Sequence, residues 1–224
     1  IKKRSKKTIK FIILHYTGMK KESQAIKRLC DHKSKVSAHY FIKKNGSVQN
    51  LVPDLYVSWH AGISSWKKLK SLNEYSIGIE IQNSGHSFLN ENFTKNQIKS
   101  LEVLLKNLVK SYRIDYRNIL GHSDISPDRK KDPGEKFPWK RLSKIRLAQW
   151  HSLDEKKLRI SRSIKINLKE EHEFLKNLNK VGYSKTKNKK ILALAFQRRF
   201  RQKLINGLID KECLLISRNL AKQS

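Results

Sequence analysis

The amino-acid sequence predicts an α/β protein with a mixed central sheet flanked by helices, followed by a small three-helix C-terminal domain. Three observations support this fold class. Short apolar runs of strand length recur in the first half of the chain, residues 93–112 repeat apolar side chains at helical spacing, and residues 165–222 divide into three helical patterns. The predicted domains are residues 1–151 and 165–224, with a linker at 152–164.

Two predicted strands carry polar side chains that are candidate functional residues. Phe11 to Leu14 form an apolar run, and His15 comes where that run ends. The segment SIGIEIQN, residues 76–83, alternates isoleucines with smaller or polar residues, which is the period of a strand with one apolar face. Glu80 therefore points away from the isoleucine face, where it either meets solvent or lines a cleft as a general base. Gly78 leaves open space beside it that suits a substrate.

Residues 36–52 predict a β-hairpin, because Asn45-Gly46 is a strong turn signal between two strand-like runs. His39 and Tyr40 lie on the first strand of this hairpin and could reach a cleft. The imidazole of His39 is therefore a further candidate metal ligand.

The clearest predicted helix covers residues 93–112. Thr94 and Gln97 form a capping box, and Phe93 can pack on Ile98. Its apolar side chains recur at helical spacing, so the helix is expected to cover one face of the sheet. Residues 139–150 are expected to close the first domain. Charge then rises and apolar periodicity fades, which indicates the linker.

The three predicted helices of residues 165–222 have local signals at their ends. Gly182 is a plausible residue to follow the first helix, since glycine readily adopts the conformation that ends helices. Asp210 is a good N-cap for the third helix. So small a unit has little core of its own, and packing on the first domain is expected.

One loop-like stretch, GHSDISPDRKKDPG at residues 121–134, concentrates groups that can bind a metal ion. His122 and Asp132 lie ten positions apart, and a loop of this length can bend back so that an imidazole nitrogen and a carboxylate oxygen converge. A catalytic zinc site usually takes three protein ligands. His15 is the leading candidate for the third ligand. The alternatives are a structural histidine and an ordinary Asp-Pro-Gly turn.

The composition constrains the class of partner. The net charge is +31 and the isoelectric point is near 10.2. The basic residues are spread along the whole chain without an aromatic-interleaved nucleic-acid motif, so a nucleic-acid-binding protein is a disfavoured alternative. An anionic envelope polymer would be attracted by the same field. No run reaches the roughly 18 apolar residues of a membrane span, so no transmembrane segment is predicted.

Five motifs, LHYT, VSAHY, WHAG, SIGIE and GHSDISPDRKKDPG, occur in an order that resembles the zinc-dependent N-acetylmuramoyl-L-alanine amidases. This family also includes phage amidases and animal peptidoglycan recognition proteins. The resemblance spans roughly residues 9–150. The phrases FLKNLNKVGYS, LAFQRRFR and NGLIDKE resemble a three-helix peptidoglycan-binding domain, with a helical extension that binds no ligand as the alternative.

The resemblance implies a role for each residue at the centre. His15, His122 and Asp132 match the ligands of one Zn2+, and aspartate as the third ligand resembles the bacterial AmpD/AmiD branch. Glu80 matches the carboxylate that moves the proton of the attacking water, and Lys130 matches the basic residue that stabilises the charged intermediate. The implied reaction is hydrolysis of the amide bond between the lactyl group of N-acetylmuramic acid, or its anhydro form, and L-alanine of the stem peptide.

The resemblance also places a substrate groove beside WHAG, so Trp59 either supports a sugar or peptide or belongs to the core. The other expected groove residues are His39, Tyr40, His60, Asn73 and Arg129. Peptidoglycan or soluble muropeptides are the expected partners of a monomer. The cell envelope or periplasm is the expected compartment, although no signal segment is visible in this chain, and the cytoplasm is the alternative. A non-catalytic peptidoglycan recognition module is the alternative function.

Overall fold

The computed structural model describes residues 2–88, 91–186 and 188–224. The strands are β1 Phe11–Tyr16, β2 Tyr40–Ile42, β3 Val48–Asn50, β4 Ser65–Trp66, β5 Leu69–Lys70, β6 Ser76–Ile81 and β7 Ile119–Gly121. Five of them form a mixed sheet in the order β3-β2-β6-β1-β7. Strands β2, β6, β1 and β7 run parallel to one another, and β3 pairs antiparallel with β2. Strands β4 and β5 form a separate small hairpin.

Helices surround this sheet and form most of the C-terminal region, so the predicted mixed α/β class is confirmed. Helix α2 is the longest α-helix of the described residues. The helices are α1 Glu22–Cys30, α2 Lys95–Tyr112, α3 His122–Ile125, α4 Trp139–Lys144, α5 Glu155–Ile160, α6 Leu168–Val181, α7 Lys189–Phe200 and α8 Lys211–Lys222.

The predicted hairpin and the predicted long helix are both present. In the hairpin, Tyr40 pairs with Asn50, and Gly46 adopts a φ of +93° in the turn. At the start of α2, the amide of Gln97 donates to Thr94 Oγ1 at 3.1 Å, and the amide of Thr94 donates to Gln97 Oε1 at 2.9 Å. Local sequence therefore determines these two elements.

Strand β1 is longer than predicted. It continues through His15 to Tyr16, because β6 pairs with it along its whole length, up to the pair between Tyr16 and Ile81. His15 is thus held inside the sheet and not in the loop that follows it. A side chain in a paired strand has a more precisely defined direction than one in a loop.

The two faces of the sheet pack against different layers. The isoleucine face of β6 joins Ile12 and Leu14 in a core with α2, as predicted, through the helix side chains Ile98, Leu101, Leu105 and Leu108. On the opposite face, Phe11 and Ile13 join a core formed largely by the C-terminal helices. Strand alternation places His15 and Glu80 on this second face of the sheet, together with Phe11 and Ile13.

The C-terminal region shares its core with the sheet. Phe174 on α6, Phe196 on α7 and Leu214 on α8 are buried in one cluster with Phe11 and Ile13. The three predicted helices are therefore present and packed on the first part of the chain. The stretch predicted as a linker contains α5, whose Leu158 joins the same cluster. Among the described residues, no helix has the length and apolar character needed to cross a bilayer.

Candidate metal centre

Three buried side chains from distant parts of the chain converge beside β1. His15 Nδ1 lies 3.0 Å from His122 Nδ1 and 2.9 Å from Asp132 Oδ2, and His122 Nδ1 lies 3.0 Å from the same carboxylate oxygen. His122 is the first residue of α3, and Asp132 follows in the loop after it. The loop bends back as predicted, and the amide of Ser123 donates to the carbonyl of Asp132 at 2.9 Å.

The hydrogen bonds of His122 leave its inner nitrogen free to bind a metal ion. Its Nε2 lies 3.1 Å from the carbonyl oxygen of Ala61. A carbonyl only accepts hydrogen bonds, so Nε2 carries the proton and Nδ1 carries a lone pair. That lone pair is directed at the carboxylate of Asp132.

His15 is held in the same tautomer by a chain of three hydrogen bonds. Ser76 Oγ donates to the carbonyl of Leu72 at 2.6 Å, and it therefore accepts from His60 Nε2 at 3.2 Å. The other nitrogen of His60 then accepts from His15 Nε2 at 3.0 Å. His15 Nδ1 is left unprotonated, as a metal ligand must be.

The surroundings of His15 and Asp132 keep both groups in the protonation states that bind metal ions. Burial, followed by the nearby His122, lowers the pKa of His15 to about 4. Burial also lowers the pKa of His60 well below its ordinary value. Burial alone would raise the pKa of Asp132, but the adjacent imidazoles of His122 and His15 outweigh it, and that pKa is lowered.

The donor set fits a divalent transition metal ion. Two unprotonated imidazole nitrogens and one carboxylate oxygen meet within hydrogen-bonding distance of each other, although none of the three can donate a proton to the others. A cation between them would satisfy all three lone pairs. Two nitrogens and one oxygen are a common protein ligand set for zinc, which accepts both donor types.

Glu80 faces the same site from β6. Its Oε2 is buried and has no hydrogen-bond partner among the described residues. Burial, and then the charge of Asp132, raises the pKa of Glu80 well above its ordinary value, while Lys130 acts in the opposite direction. Glu80 is therefore a buried carboxyl group that holds a proton more strongly than an ordinary glutamate does.

A cavity of about 530 Å³ opens over these residues, and Glu80, Lys130, Arg129 and Trp59 line it. The Trp59 side chain is 43% exposed, so the interpretation of this residue as core is wrong, and it borders the cavity as the groove interpretation expected. Arg129 is anchored to the rim by a hydrogen bond of 2.5 Å to the carbonyl of Ile63.

His60 and Asn73 lie beneath the site. His60 is the hydrogen-bond partner of His15 described above, and Asn73 Oδ1 accepts from the amides of His60 and Ala61 at 3.1 and 2.7 Å. The open space expected beside Gly78 is filled, since a Cβ there would lie 2.3 Å from His60 Cγ. His60 also lines the cavity, so its bond to His15 stands beside the predicted groove role, which stays a prediction, whereas Asn73 is not among the lining residues and holds the backbone of His60 and Ala61.

The structure also places the two hairpin candidates outside the site. His39 is fully buried, its Nδ1 accepts from the amide of Gly78 at 3.0 Å, and its Nε2 donates to the carbonyl of Tyr56 at 2.9 Å. Both nitrogens are used, so His39 is neither a ligand nor a groove residue. Tyr40 packs against the α2 core on the opposite face of the sheet. The register of β2 explains both corrections.

Several lining residues were not predicted. Tyr16 and His86 both line the cavity, and Tyr16 Oη donates to His86 Nδ1 at 2.9 Å. His86 Nε2 in turn donates to Glu135 at 2.9 Å. Gly85 is the residue in the sequence that could have indicated this pair. Its φ is +68°, and a Cβ there would lie 2.5 Å from Tyr16 Cε2. Arg28 and Lys131 complete the basic part of the lining.

Comparison with known proteins identifies relatives of this arrangement. Residues 5–135 match the protein family described as N-acetylmuramoyl-L-alanine amidase. The chain is 31% identical to N-acetylmuramoyl-L-alanine amidase AmiD of Escherichia coli over 96% of this chain and 83% of that protein. It is 39% identical to 1,6-anhydro-N-acetylmuramyl-L-alanine amidase AmpD of Haemophilus influenzae over 51% of this chain and 61% of that protein.

Solved structures share the fold over nearly the whole chain. The structure of Escherichia coli AmiD with the substrate anhydro-N-acetylmuramic acid-L-Ala-D-gamma-Glu-L-Lys has a TM-score of 0.85 at 30% identity, covering 96% of this chain and 90% of that one. The structure of AmpDh3 of Pseudomonas aeruginosa with anhydromuramic pentapeptide has a TM-score of 0.84 at 29% identity, covering 97% and 92%. The similarity to both includes the C-terminal helices.

Proposed function

The chain belongs to the N-acetylmuramoyl-L-alanine amidase family, and we propose that it hydrolyses the amide bond between the lactyl group of N-acetylmuramic acid and L-alanine of the peptidoglycan stem peptide. The anhydro form of the sugar is included as a substrate. The observation that carries this proposal is the convergence of His15, His122 and Asp132, with Glu80 facing the same cavity. A binding module has no need of a carboxyl group with a raised pKa beside a ligand set.

The proposed cofactor is one Zn2+ held by His15, His122 and Asp132. The two nitrogens and one oxygen suit zinc, and the tautomers of both histidines leave the required lone pairs. When bound, zinc supplies Lewis acidity toward water and a carbonyl oxygen. The three donors are buried; the outer nitrogens of His15 and His122 are hydrogen-bonded, and the backbone carbonyl of Asp132 accepts from the amide of Ser123.

Glu80 is the proposed proton carrier. It takes a proton from the water whose oxygen bonds to the lactyl carbonyl carbon, and it delivers a proton to the L-alanine nitrogen as the carbon–nitrogen bond breaks. The raised pKa suits this exchange, because it makes the carboxylate a stronger base toward water than an ordinary glutamate.

Lys130 is the proposed stabiliser of the negative charge that develops on the carbonyl oxygen. It lines the same cavity and is close enough to Glu80 to lower that residue's pKa. A fixed positive charge near a developing oxyanion in a partly buried site is an effective form of transition-state stabilisation. Trp59 and Arg129 line the cavity farther out, where they are proposed to contact the glycan and the peptide.

The proposed organisation is an amidase domain of residues 1–151 and a C-terminal peptidoglycan-binding domain of residues 165–224. Structures of AmiD and AmpDh3 with muropeptide ligands support a peptidoglycan-derived substrate for this chain. We propose a monomer, because one chain supplies every ligand and Glu80. The strong positive charge suits the anionic cell envelope, and we propose the envelope or periplasm as its compartment.

Mass spectrometry of purified muropeptides digested with and without a chelator tests the proposal. The expected product is free stem peptide with a new L-alanine N-terminus, lost on chelation and restored by zinc. Anhydro and reducing-end substrates run side by side distinguish recycling from envelope turnover. Bound zinc without cleavage would instead support a recognition module.

A further inference from the structure

A buried carboxylate joins the proposed metal ligand His122 to the C-terminal region. Asp124 lies on the same short helix, α3, and is 1% exposed. Its Oδ1 accepts from the hydroxyl of Tyr183 at 2.6 Å, and its Oδ2 accepts from the guanidinium of Arg199 and from the amide of Gly121 at 2.8 Å. Two of its three donors therefore come from the C-terminal region.

Arg199, on α7, also holds the strand that leads into α3. Its Nη2 donates to the carbonyl of Ile119 on β7 at 3.0 Å. Its guanidinium lies 4.2 Å from the centroid of the Trp139 ring, a cation–π distance. One side chain thus fixes both the end of the sheet and the beginning of the helix that carries His122.

Tyr183 is held in place by contacts with Trp66 and by the backbone bond of the residue before it. It follows Gly182, whose φ is +140°, and a Cβ at Gly182 would lie 2.3 Å from Trp66 Cε2. The amide of Lys67 donates to the carbonyl of Gly182 at 2.6 Å, and the rings of Trp66 and Tyr183 meet edge to face at 4.8 Å. The hydroxyl of Tyr183 therefore has little freedom to leave Asp124.

Helix α3 depends on such contacts for its direction. It has only four residues, which is far too few for a helix to be stable by itself. A buried carboxylate is stable only where hydrogen bonds or an opposite charge compensate it. The donors on Asp124 therefore determine how α3 is oriented, and that orientation sets where His122 Nδ1 lies.

We propose that Tyr183 and Arg199 are positioning residues that orient His122 through Asp124, so that the C-terminal helices complete the metal centre. This inference rests on the proposed function, because it takes His122 as a metal ligand. It assigns the C-terminal region a role in the metal site that is independent of any contact with peptidoglycan.

The variant Tyr183→Phe tests the inference with little disturbance, since it removes one hydroxyl and keeps the ring on Trp66. Tyr112→Phe is the matched control, because the Tyr112 hydroxyl donates to Asp54 at 2.8 Å outside the metal centre. Three quantities are measured on the full chain: the Zn2+ dissociation constant by competition with a chromophoric chelator, the visible spectrum of the Co2+ form, and the urea unfolding of the metal-free protein.

The Tyr183→Phe protein is expected to bind Zn2+ about tenfold more weakly, the size of effect that outer hydrogen-bond partners have on metal sites. Its Co2+ spectrum should shift, whereas Tyr112→Phe should match the wild type in both. Arg199→Met should have a larger effect than Arg199→Lys, which keeps the charge. Arg162→Met is the control for these, since Arg162, which precedes α6, pairs with Glu212 on α8 at 2.7 and 2.8 Å.

Arg199→Met removes the partner of a buried charge and can unfold the chain, so Tyr183→Phe decides the outcome. If Tyr183→Phe loses stability but keeps the wild-type zinc affinity and cobalt spectrum, the network is only structural and this inference is overturned. A wild-type protein that takes up no ion would overturn the metal-site assignment itself. The two failures are therefore distinguishable in one set of measurements.

Discussion

His15 and Glu80 stand directly opposite one another on the parallel strands β1 and β6. Neighbouring residues in register project to the same face of a sheet, so the proposed ligand and the proposed proton carrier are set side by side by backbone hydrogen bonds alone. The remaining two ligands come from α3 and its following loop. The relative position of His15 and Glu80 is thus fixed by the pairing of two neighbouring strands in the sheet.

Glu80→Gln separates proton transfer from metal binding. The amide keeps the shape of the side chain but cannot carry the proton, so kcat should fall by about 10²–10⁴-fold. Metal content, measured by atomic absorption, should stay at the wild-type level. Glu102→Gln is the control, because Glu102 lies on α2, which packs on the opposite face of the sheet, and pairs with Arg141. Wild-type turnover in Glu80→Gln would exclude this residue as the proton carrier.

Ser76→Ala tests the hydrogen-bond chain that fixes the tautomer of His15. Without Ser76 Oγ, His60 Nε2 loses its acceptor and the proton can move to the nitrogen that accepts from His15. We expect the Zn2+ dissociation constant to rise about tenfold in a chelator competition. Ser64→Ala is the matched control, since Ser64 is also buried and bonds only backbone groups, at Gly62 and Leu72. Equal zinc affinity in both variants would show that the chain does not set the tautomer.

The convergence of the three proposed ligands could be predicted because each lies beside a local signal. His15 follows an apolar run, and His122 and Asp132 share one loop, so their convergence needed only the loop to bend back. Strand alternation likewise placed Glu80 away from the isoleucine face, and the structure agrees. These are properties of neighbouring residues, which a sequence displays directly.

The supporting residues could not be predicted in the same way. His60 bonds His15 from 45 positions away, and Arg199 bonds Asp124 from 75 positions away. Such pairs depend on how whole elements pack, and no spacing in the sequence encodes them. His39 was misjudged for the same reason. Its imidazole is used by the backbone of two other segments, at Gly78 and Tyr56.

Gly78→Ala should damage both the fold and the metal site. The added Cβ would lie 2.3 Å from His60 Cγ, and the imidazole is held at both nitrogens, by His15 and by Ser76. Overpacking of this kind costs about 1–3 kcal/mol, measured as the free energy of unfolding in urea. Adding His60→Ala removes the overlap, so the double variant should recover stability but not zinc affinity. If Gly78→Ala unfolds like the wild type, this account of the glycine is incorrect.

The metal-free protein should lose stability as the pH falls from about 6.5 toward 4. Burial, and next the charge of Arg4, lowers the pKa of His39 to about 3, and burial lowers that of His15 to about 4. Below pH 6.5 the unfolded chain binds protons that the folded chain excludes, so acid favours unfolding. Each such histidine contributes about 1.4 kcal/mol per pH unit to the slope of the free energy of unfolding against pH.

Urea unfolding in the presence of a chelator, repeated across this pH range, measures the slope, and His39→Gln should make it shallower. A flat profile would contradict the buried neutral histidines.

Metal removal should lower the melting temperature, because an ion that binds the folded chain stabilises it by mass action. At a thousandfold excess of free ion over the dissociation constant the gain is about 4 kcal/mol, or on the order of 10 °C for a chain of this size. Calorimetry with zinc and then with chelator measures the shift in melting temperature.

Asp132→Asn removes a proposed ligand and should abolish the shift, whereas Asp128→Asn, exposed on the same loop, should preserve it. Glu80→Gln should also preserve the shift, since Glu80 is proposed to move a proton and not to hold the ion. A full shift in Asp132→Asn would mean that the ion binds elsewhere.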